Sequence, residues 1–101
     1  MVVYNVTMKV DWSIEADWLA WMLDYYIPRI VATGHFDKHQ FVRLLEVDES
    51  DGPIYAVQYY SASLDSYNEY VKEFAPFFKK TLQAQWGDRC LAFSTLMEVL
   101  H

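Results

Sequence analysis

The amino-acid sequence predicts an α+β fold: a four-stranded antiparallel sheet with two helices packed on one of its faces. Three observations predict it. The hydrophobic period runs two, three-to-four, two, two, three-to-four, two along the chain, which orders the elements as βαββαβ. Asp51-Gly52 lies between the two central strands and marks an antiparallel hairpin there. The pattern occupies nearly all 101 residues, with only 3 glycines and 3 prolines, so residues 1–101 are expected to form one domain without a linker.

The first strand is Val2 to Val10, with Val2, Tyr4, Val6, Met8 and Val10 on one face and Val3, Asn5, Thr7 and Lys9 on the other. Asp11 or Ser13 can cap the helix that follows, and Glu15 and Asp17 place negative charge beside its unpaired first N–H groups. Ile14, Trp18, Trp21, Met22 and Tyr25 recur every three or four residues and form the stripe expected to pack on the sheet. Pro28 has no N–H to continue the helix and disfavours helical geometry at Ile27, so a kink or a fresh turn is expected before Gly34 ends the segment. Phe36 to Glu49 reads as the second strand and Ile54 to Ala62 as the third, joined through the acidic turn Asp48 to Pro53. Ser63 or Asp65 caps a second helix with the stripe Tyr67, Tyr70, Val71, Phe74, Phe77 and Phe78. Pro76 either bends that helix or starts a second piece running to about Gln85. After Gly87, the last strand, Arg89 to Leu100, is apolar on both faces, so its period leaves the buried face open.

Aromatic residues make up 18% of the chain, more than a small core hides easily, so some are expected to line a pocket or a subunit interface. The net charge of -6 repels phosphate backbones and anionic headgroups; neither nucleic acid nor a membrane is an expected partner. Tyr55 to Tyr59 partly matches the aromatic third strand of RNA-recognition modules, but its flanks are acidic where such modules are basic. The longest uncharged run, Gly52 to Leu64, alternates as a strand and is too short for a helix that crosses a bilayer. Cys90 is the only cysteine and the chain does not open with the pattern of a secretory signal, so a soluble, cytoplasmic protein is expected.

Two strand-helix-strand halves joined by a hairpin make the ferredoxin-like arrangement, in which one sheet face stays uncovered by helices. Asn5, Thr7, Arg43, Ala56, Gln58 and Tyr60 are expected on that face, with Ile54 and Phe41 adding apolar surface. Such a face gains from cover, and a homodimer is the leading expectation. Asn5, Arg43, Gln58 and Tyr60 are candidates to bind a small polar or carboxylated ligand, Arg43 supplying a planar fork, or to pair across the subunit interface. His35, beside Gly34, is a candidate for a pocket rim and for a general base near neutral pH. On a strand, His35 and His39 stand about 13 Å apart, too far to share a metal. Neither a metal nor a cofactor is expected. Cys90 reads as a buried structural thiol, and the acidic turn lacks the alternating ligands of a calcium loop.

Tyr4-Asn5-Val6-Thr7, Ile27-Pro28 through Ala32-Thr33-Gly34-His35-Phe36, and Gln58-Tyr59 resemble the bacterial domain of unknown function 4286 family, and the resemblance spans the chain. More distantly the sequence is similar to the dimeric α/β-barrel superfamily, which includes antibiotic-biosynthesis and haem-degrading monooxygenases. That resemblance implies two ferredoxin-like sheets paired face to face and a ligand held between sheet and helices. Haem-degrading members use an asparagine on the first strand with a tryptophan and a histidine from the second helix. Asn5 matches the first of these, but Asp65 to Gln85 contains no histidine and Trp86 follows it, so haem is not carried over. Two functions are therefore weighed. One is a homodimeric small-ligand-binding or interaction module. The alternative is a cofactor-independent monooxygenase-like enzyme for a small aromatic or apolar substrate, oriented or deprotonated by Asn5, His35 and Tyr60.

Overall fold

In a computed structural model that describes residues 1–101, strand β1 is Val2–Val10, as its alternation predicts. It lies at the centre of a sheet ordered β2-β3-β1-β4, where β2 is Lys38–Arg43, β3 is Ile54–Ser61 and β4 is Cys90–Glu98. All three pairings are antiparallel. Tyr4, Met8 and Val10 are buried on the face that the helices cover. The architecture is the expected α+β ferredoxin-like one.

Both helical arms depart from regular α-helix next to a proline, each in its own way. The Asp11 carboxylate accepts from the Ser13 N–H and starts a 3-10 turn, Trp12–Ile14, that leads into α1, Glu15–Trp21. Met22–Tyr26 is then a π-helical turn, and α2 is Ile27–Val31. The Ile27 N–H donates to the Met22 carbonyl, five residues back. A π turn holds one residue more than an α turn, which accommodates Pro28 without breaking the rod. The same extra residue shifts the apolar stripe, so Tyr26 rather than the expected Tyr25 is buried. In the second arm, Ser63 caps α3, Leu64–Glu73, and α4 is Ala75–Trp86 with Pro76 in its first turn. Phe74, at φ -123°, is the joint. The arm is thus split rather than bent. Trp86, expected beyond the helix, is its last residue and is buried, while Val71 and Phe77 of the expected stripe are exposed.

The link between β2 and β3 is longer than the expected turn Asp48 to Pro53. β2 is shorter than Phe36–Glu49, and residues 44–53 form a loop that folds back on the end of β1. Val10 N–H donates to the Pro53 carbonyl at 3.0 Å, and Gly52 passes so close that a Cβ there would lie 1.8 Å from the Val10 carbonyl oxygen. Gly52, at φ +146°, is therefore a close-approach glycine rather than a turn glycine.

The register of β2 against β3 is one the sequence does not reveal. Arg43 pairs with Tyr55, and Phe41 with Val57, so both lie on the helix-covered face and not on the open one where they were expected. Either face of β2 would satisfy its pattern, because Lys38, Gln40 and Val42 are no more polar than His39, Phe41 and Arg43. In β4 the register places Cys90, Ala92, Ser94 and Leu96 on the helix side and Leu91, Phe93, Thr95 and Met97 on the open side. Of these only Cys90 is buried. The core is an aromatic layer between sheet and helices in which Trp18, Tyr59 and Tyr70 are almost wholly inaccessible. No helix is long and apolar enough to cross a membrane.

Gly52→Ala is expected to destabilise the fold by about 2–4 kcal/mol, because strained φ and a backbone clash act together. Thermal denaturation checks this: a fall in Tm of less than about 5 °C would show that the loop relaxes away from Val10.

Candidate functional site

Two places could hold chemistry, one on each side of the sheet. On the open face, Gln40, Gln58, Asn5 and Thr95 lie in one line across all four strands, each the direct cross-strand neighbour of the next. Apolar and aromatic residues flank this polar row: Val42, Ala56 and Phe93 on one side, Tyr60, Val3 and Met97 on the other. The Asn5 amide donates to Thr7 Oγ1 at 3.2 Å, the Tyr60 hydroxyl approaches Gln58 Oε1 at 3.4 Å, and the Lys38 ammonium sits 4.6 Å above the Tyr60 ring. Asn5, Gln58 and Tyr60 thus share the open face, with the Tyr60 hydroxyl turned to Gln58 and the Asn5 amide to Thr7.

Arg43 and His35 are not part of that group. On the opposite face, Arg43 Nη2 meets Glu49 Oε2 at 2.9 Å and Nη1 lies 4.0 Å from Glu15 Oε2, which also accepts from the Tyr55 hydroxyl at 2.6 Å. The guanidinium fork is occupied by its own chain, clamping the 44–53 loop to β2. His35 lies beside α3, where Nδ1 is 3.1 Å from Ser66 Oγ and 3.9 Å from Glu69, with its ring against Phe74. The sequence-based ligand constellation is therefore divided among three locations.

The second place is a cavity of about 420 Å³ between the helix-facing side of β1 and β4 and the inner side of α4. Its walls are mostly apolar, with Met8, Ile30, Phe78 and Leu82 among them, and four phenols, Tyr4, Tyr26, Tyr59 and Tyr70, converge on it. Tyr26 is partnered, its hydroxyl donating to the Phe78 carbonyl at 3.0 Å. Tyr59 is not: its hydroxyl is buried and has no hydrogen-bond partner in the chain. Leaving a buried hydroxyl unpaired costs about 1–3 kcal/mol, so such a group lining a cavity is a position where a ligand can restore the bond. No aspartate, glutamate or histidine lines the cavity; Lys79 is its only charged residue.

Burial governs the ionisation of these groups. It pushes the Tyr4 phenol up to about 12, with Tyr67 adding to the rise and the Ser94 hydroxyl opposing it. Burial first, then repulsion from the neighbouring phenols, raises Tyr59 and Tyr70 further. The Cys90 thiol is pushed up to about 11 by burial; the Trp18 indole approaches it and holds back part of the rise, without reaching hydrogen-bond geometry. At neutral pH the phenols and the thiol of the cavity are accordingly uncharged donors, without a thiolate among them.

None of Asn5, Arg43, Gln58, Tyr60 and His35 lines this cavity. Of the residues that do, spacing places Tyr4, Val6 and Met8 on one face of the first strand and Tyr70 and Phe78 on the second helical stripe, but it does not single out Tyr26, Tyr59 or Lys79. Their signal was chemical rather than periodic: Tyr4, Tyr59 and Tyr70 occupy inward positions where phenylalanine would satisfy burial alone, so each brings a hydroxyl that needs a partner.

A family model described as a domain of unknown function (DUF4286) matches residues 1–100. No curated protein sequence matches the chain. Among solved structures, a dimeric ferredoxin-like protein from an uncultured marine organism superposes with a TM-score of 0.70 at 11% identity, covering 99% of this chain and 95% of that one. An ethyl tert-butyl ether d (EthD) family protein from Bacillus halodurans superposes at 0.72 with 13% identity, covering 99% and 100%. SnoaB, a cofactor-independent oxygenase from Streptomyces nogalater, superposes at 0.66 with 12% identity, covering 99% and 94%. At such identities the likeness establishes the fold and nothing of the chemistry.

Two outcomes check the site. Tyr59→Phe in the ligand-free protein is expected to leave Tm unchanged or raise it, since the hydroxyl removed has no partner; a loss above about 1 kcal/mol would reveal one. Stability is expected to be at its full value below pH 9 and to fall as pH rises. Cys90 loses its proton from 9.0 in the unfolded chain but only at about 11 when folded, and Tyr4 from 10.0 but only at about 12. Raised folded values favour the folded state only while the unfolded groups remain protonated. Denaturant midpoints between pH 8 and 12 measure this, with tyrosinate absorbance appearing together with unfolding.

Proposed function

We propose that this chain, which belongs to the DUF4286 family, is a homodimeric small-ligand-binding module of the cytoplasm that houses an apolar ligand between its sheet and α4. The observation that carries the reading is the Tyr59 hydroxyl, buried and unpaired in the wall of a 420 Å³ cavity, a volume within the range of small-molecule sites. Everything else lining the cavity supports binding rather than turnover. A reaction that begins by removing a substrate proton needs a base poised near the working pH. The lining offers neutral phenols, a raised thiol and one lysine. Asn5, His35 and Tyr60, the residues that the oxygenase alternative would use, lie elsewhere.

The dimer is proposed to form through the open sheet face. Phe93 is 65% exposed and Leu91 58% exposed, beside the partly exposed Met97, and Leu91 to Met97 carries no charge. Uncharged apolar edge strands invite pairing unless something covers them. The opposite edge, β2, carries Lys38, His39 and Arg43 and is protected by them. In a face-to-face pair, the row of Gln40, Gln58, Asn5 and Thr95 would supply the hydrogen bonds and the flanking residues the apolar area. Two of the similar structures are described as dimeric ferredoxin-like proteins, which accords with this arrangement.

Light scattering on the eluting protein is expected to give twice the 12.0 kDa chain mass at micromolar concentration, and Leu91→Glu with Met97→Glu to return the single-chain mass without unfolding. A fluorescent naphthalene-type probe is expected to bind the wild-type protein. Ala92→Trp, which fills the cavity from β4, should abolish that binding while leaving the mass unchanged. A single-chain mass for the wild type would remove the dimer; undiminished probe binding by Ala92→Trp would remove the cavity.

A further inference from the structure

We infer that the cavity selects an elongated apolar molecule with an uncharged acceptor oxygen at its inner end, held by Tyr59, and an anionic group at its outer end, held by Lys79. This rests on the cavity reading above and adds to it the polarity of the ligand. At the inner end, the Tyr59 hydroxyl is buried without a partner and offers an O–H to whatever lies beside it. Its phenol is held firmly protonated by burial and by the neighbouring phenols, so it presents a donor rather than an oxyanion. The group it meets is an acceptor, and an uncharged one. Taking a carboxylate wholly out of water costs several kcal/mol unless a cation accompanies it, and no cation lies at that depth.

At the outer end the electrostatics reverse. Lys79 lies on the exposed side of the lining and makes no ion pair within the chain. Gln83, one helical turn further along α4, adds an amide beside it. The protein carries 14 acidic residues against 8 basic, yet none of the acidic ones lines this cavity. A charge-depleted wall ending in one unpaired ammonium attracts an anion, and at the mouth that anion keeps part of its hydration, so the desolvation cost that excludes it from the inner end does not apply. Met8, Ile30, Phe78 and Leu82, elsewhere in the lining, favour an apolar body. An aryl or alkyl oxo acid has this chemistry.

Calorimetry on the full chain with three matched probes tests the inference: an acetyl-substituted naphthoate, its methyl ester, and the ethyl-substituted naphthoate that lacks the inner carbonyl. The acetylnaphthoate is expected to bind most tightly. Tyr59→Phe should weaken both carbonyl-bearing probes about fivefold to tenfold and leave the ethyl probe unaffected. Lys79→Ala should weaken the two carboxylates about threefold and spare the ester, with the difference shrinking as salt is added. Equal affinities for all three probes, or substitutions that act on all three alike, overturn the inference and leave the cavity reading intact. Absence of binding by any of the three overturns both.

Discussion

The interior depends on one hydrogen bond, from the Tyr26 hydroxyl to the Phe78 carbonyl, that ties the two helical arms together above the sheet. Each partner is in place because of a proline. Pro28 is accommodated by a π turn, and the extra residue in that turn rotates Tyr26 inward. Pro76 starts α4 afresh after Phe74, which re-aims α4 and places Phe78 edge-on to the Tyr26 ring. With both interrupted, the arms meet through Tyr26, Phe78 and the neighbouring Trp21–Trp86 contact, and a cavity stays open between α4 and the β1–β4 side of the sheet.

The sheet then separates two kinds of surface. Around the cavity its helix side is aromatic, with Lys79 the only charged residue in the lining, while Arg43, Glu15 and Glu49 pair at the β2 end of the same side. Its open side carries a polar row between apolar flanks, with hydroxyls and amides that satisfy one another or a facing surface. A ligand in the cavity and a partner on the open face therefore do not compete for residues, and the proposed dimer and the proposed binding site are independent properties of one sheet. Phe93 is the exception: it belongs to the open side by register and also contributes to the cavity wall, because β4 is an edge strand with little cover on either side.

How much of this was legible in the sequence varies by element. β1 was readable to the residue because one face of it is consistently apolar and it lies at the centre of the sheet. The caps at Asp11 and Ser63 were readable because their side chains act locally on the next N–H groups. Arg43 was misplaced because face assignment in a strand turns on parity, and residues 44–53 form a loop too long to transmit the register from β3. A period of 3.6 points to Tyr25 rather than Tyr26 because it extends an α-helical repeat through a turn that is π-helical. The candidate site was the least legible part. Strand alternation puts Asn5, Gln58 and Tyr60 on one sheet face, where the register has them, but Tyr59 is indistinguishable by pattern from any buried aromatic, since what sets it apart is the absence of a partner for its buried hydroxyl.

The sequence by itself determined the order of elements, the antiparallel topology, the presence of helix breaks at Pro28 and Pro76, and the excess of aromatic residues over what a small core requires. These follow from local sterics, capping and hydrophobic period, which act over a few residues. Only the tertiary structure decided which face of β2 and β4 turns inward, how each helix break is resolved, why Gly52 must be glycine, and that four tyrosines converge on a cavity with the Tyr59 hydroxyl both buried and unpaired. Those are matters of register and of contact between segments far apart in the chain, and hydrogen-bond satisfaction can be counted only once both partners have positions in space.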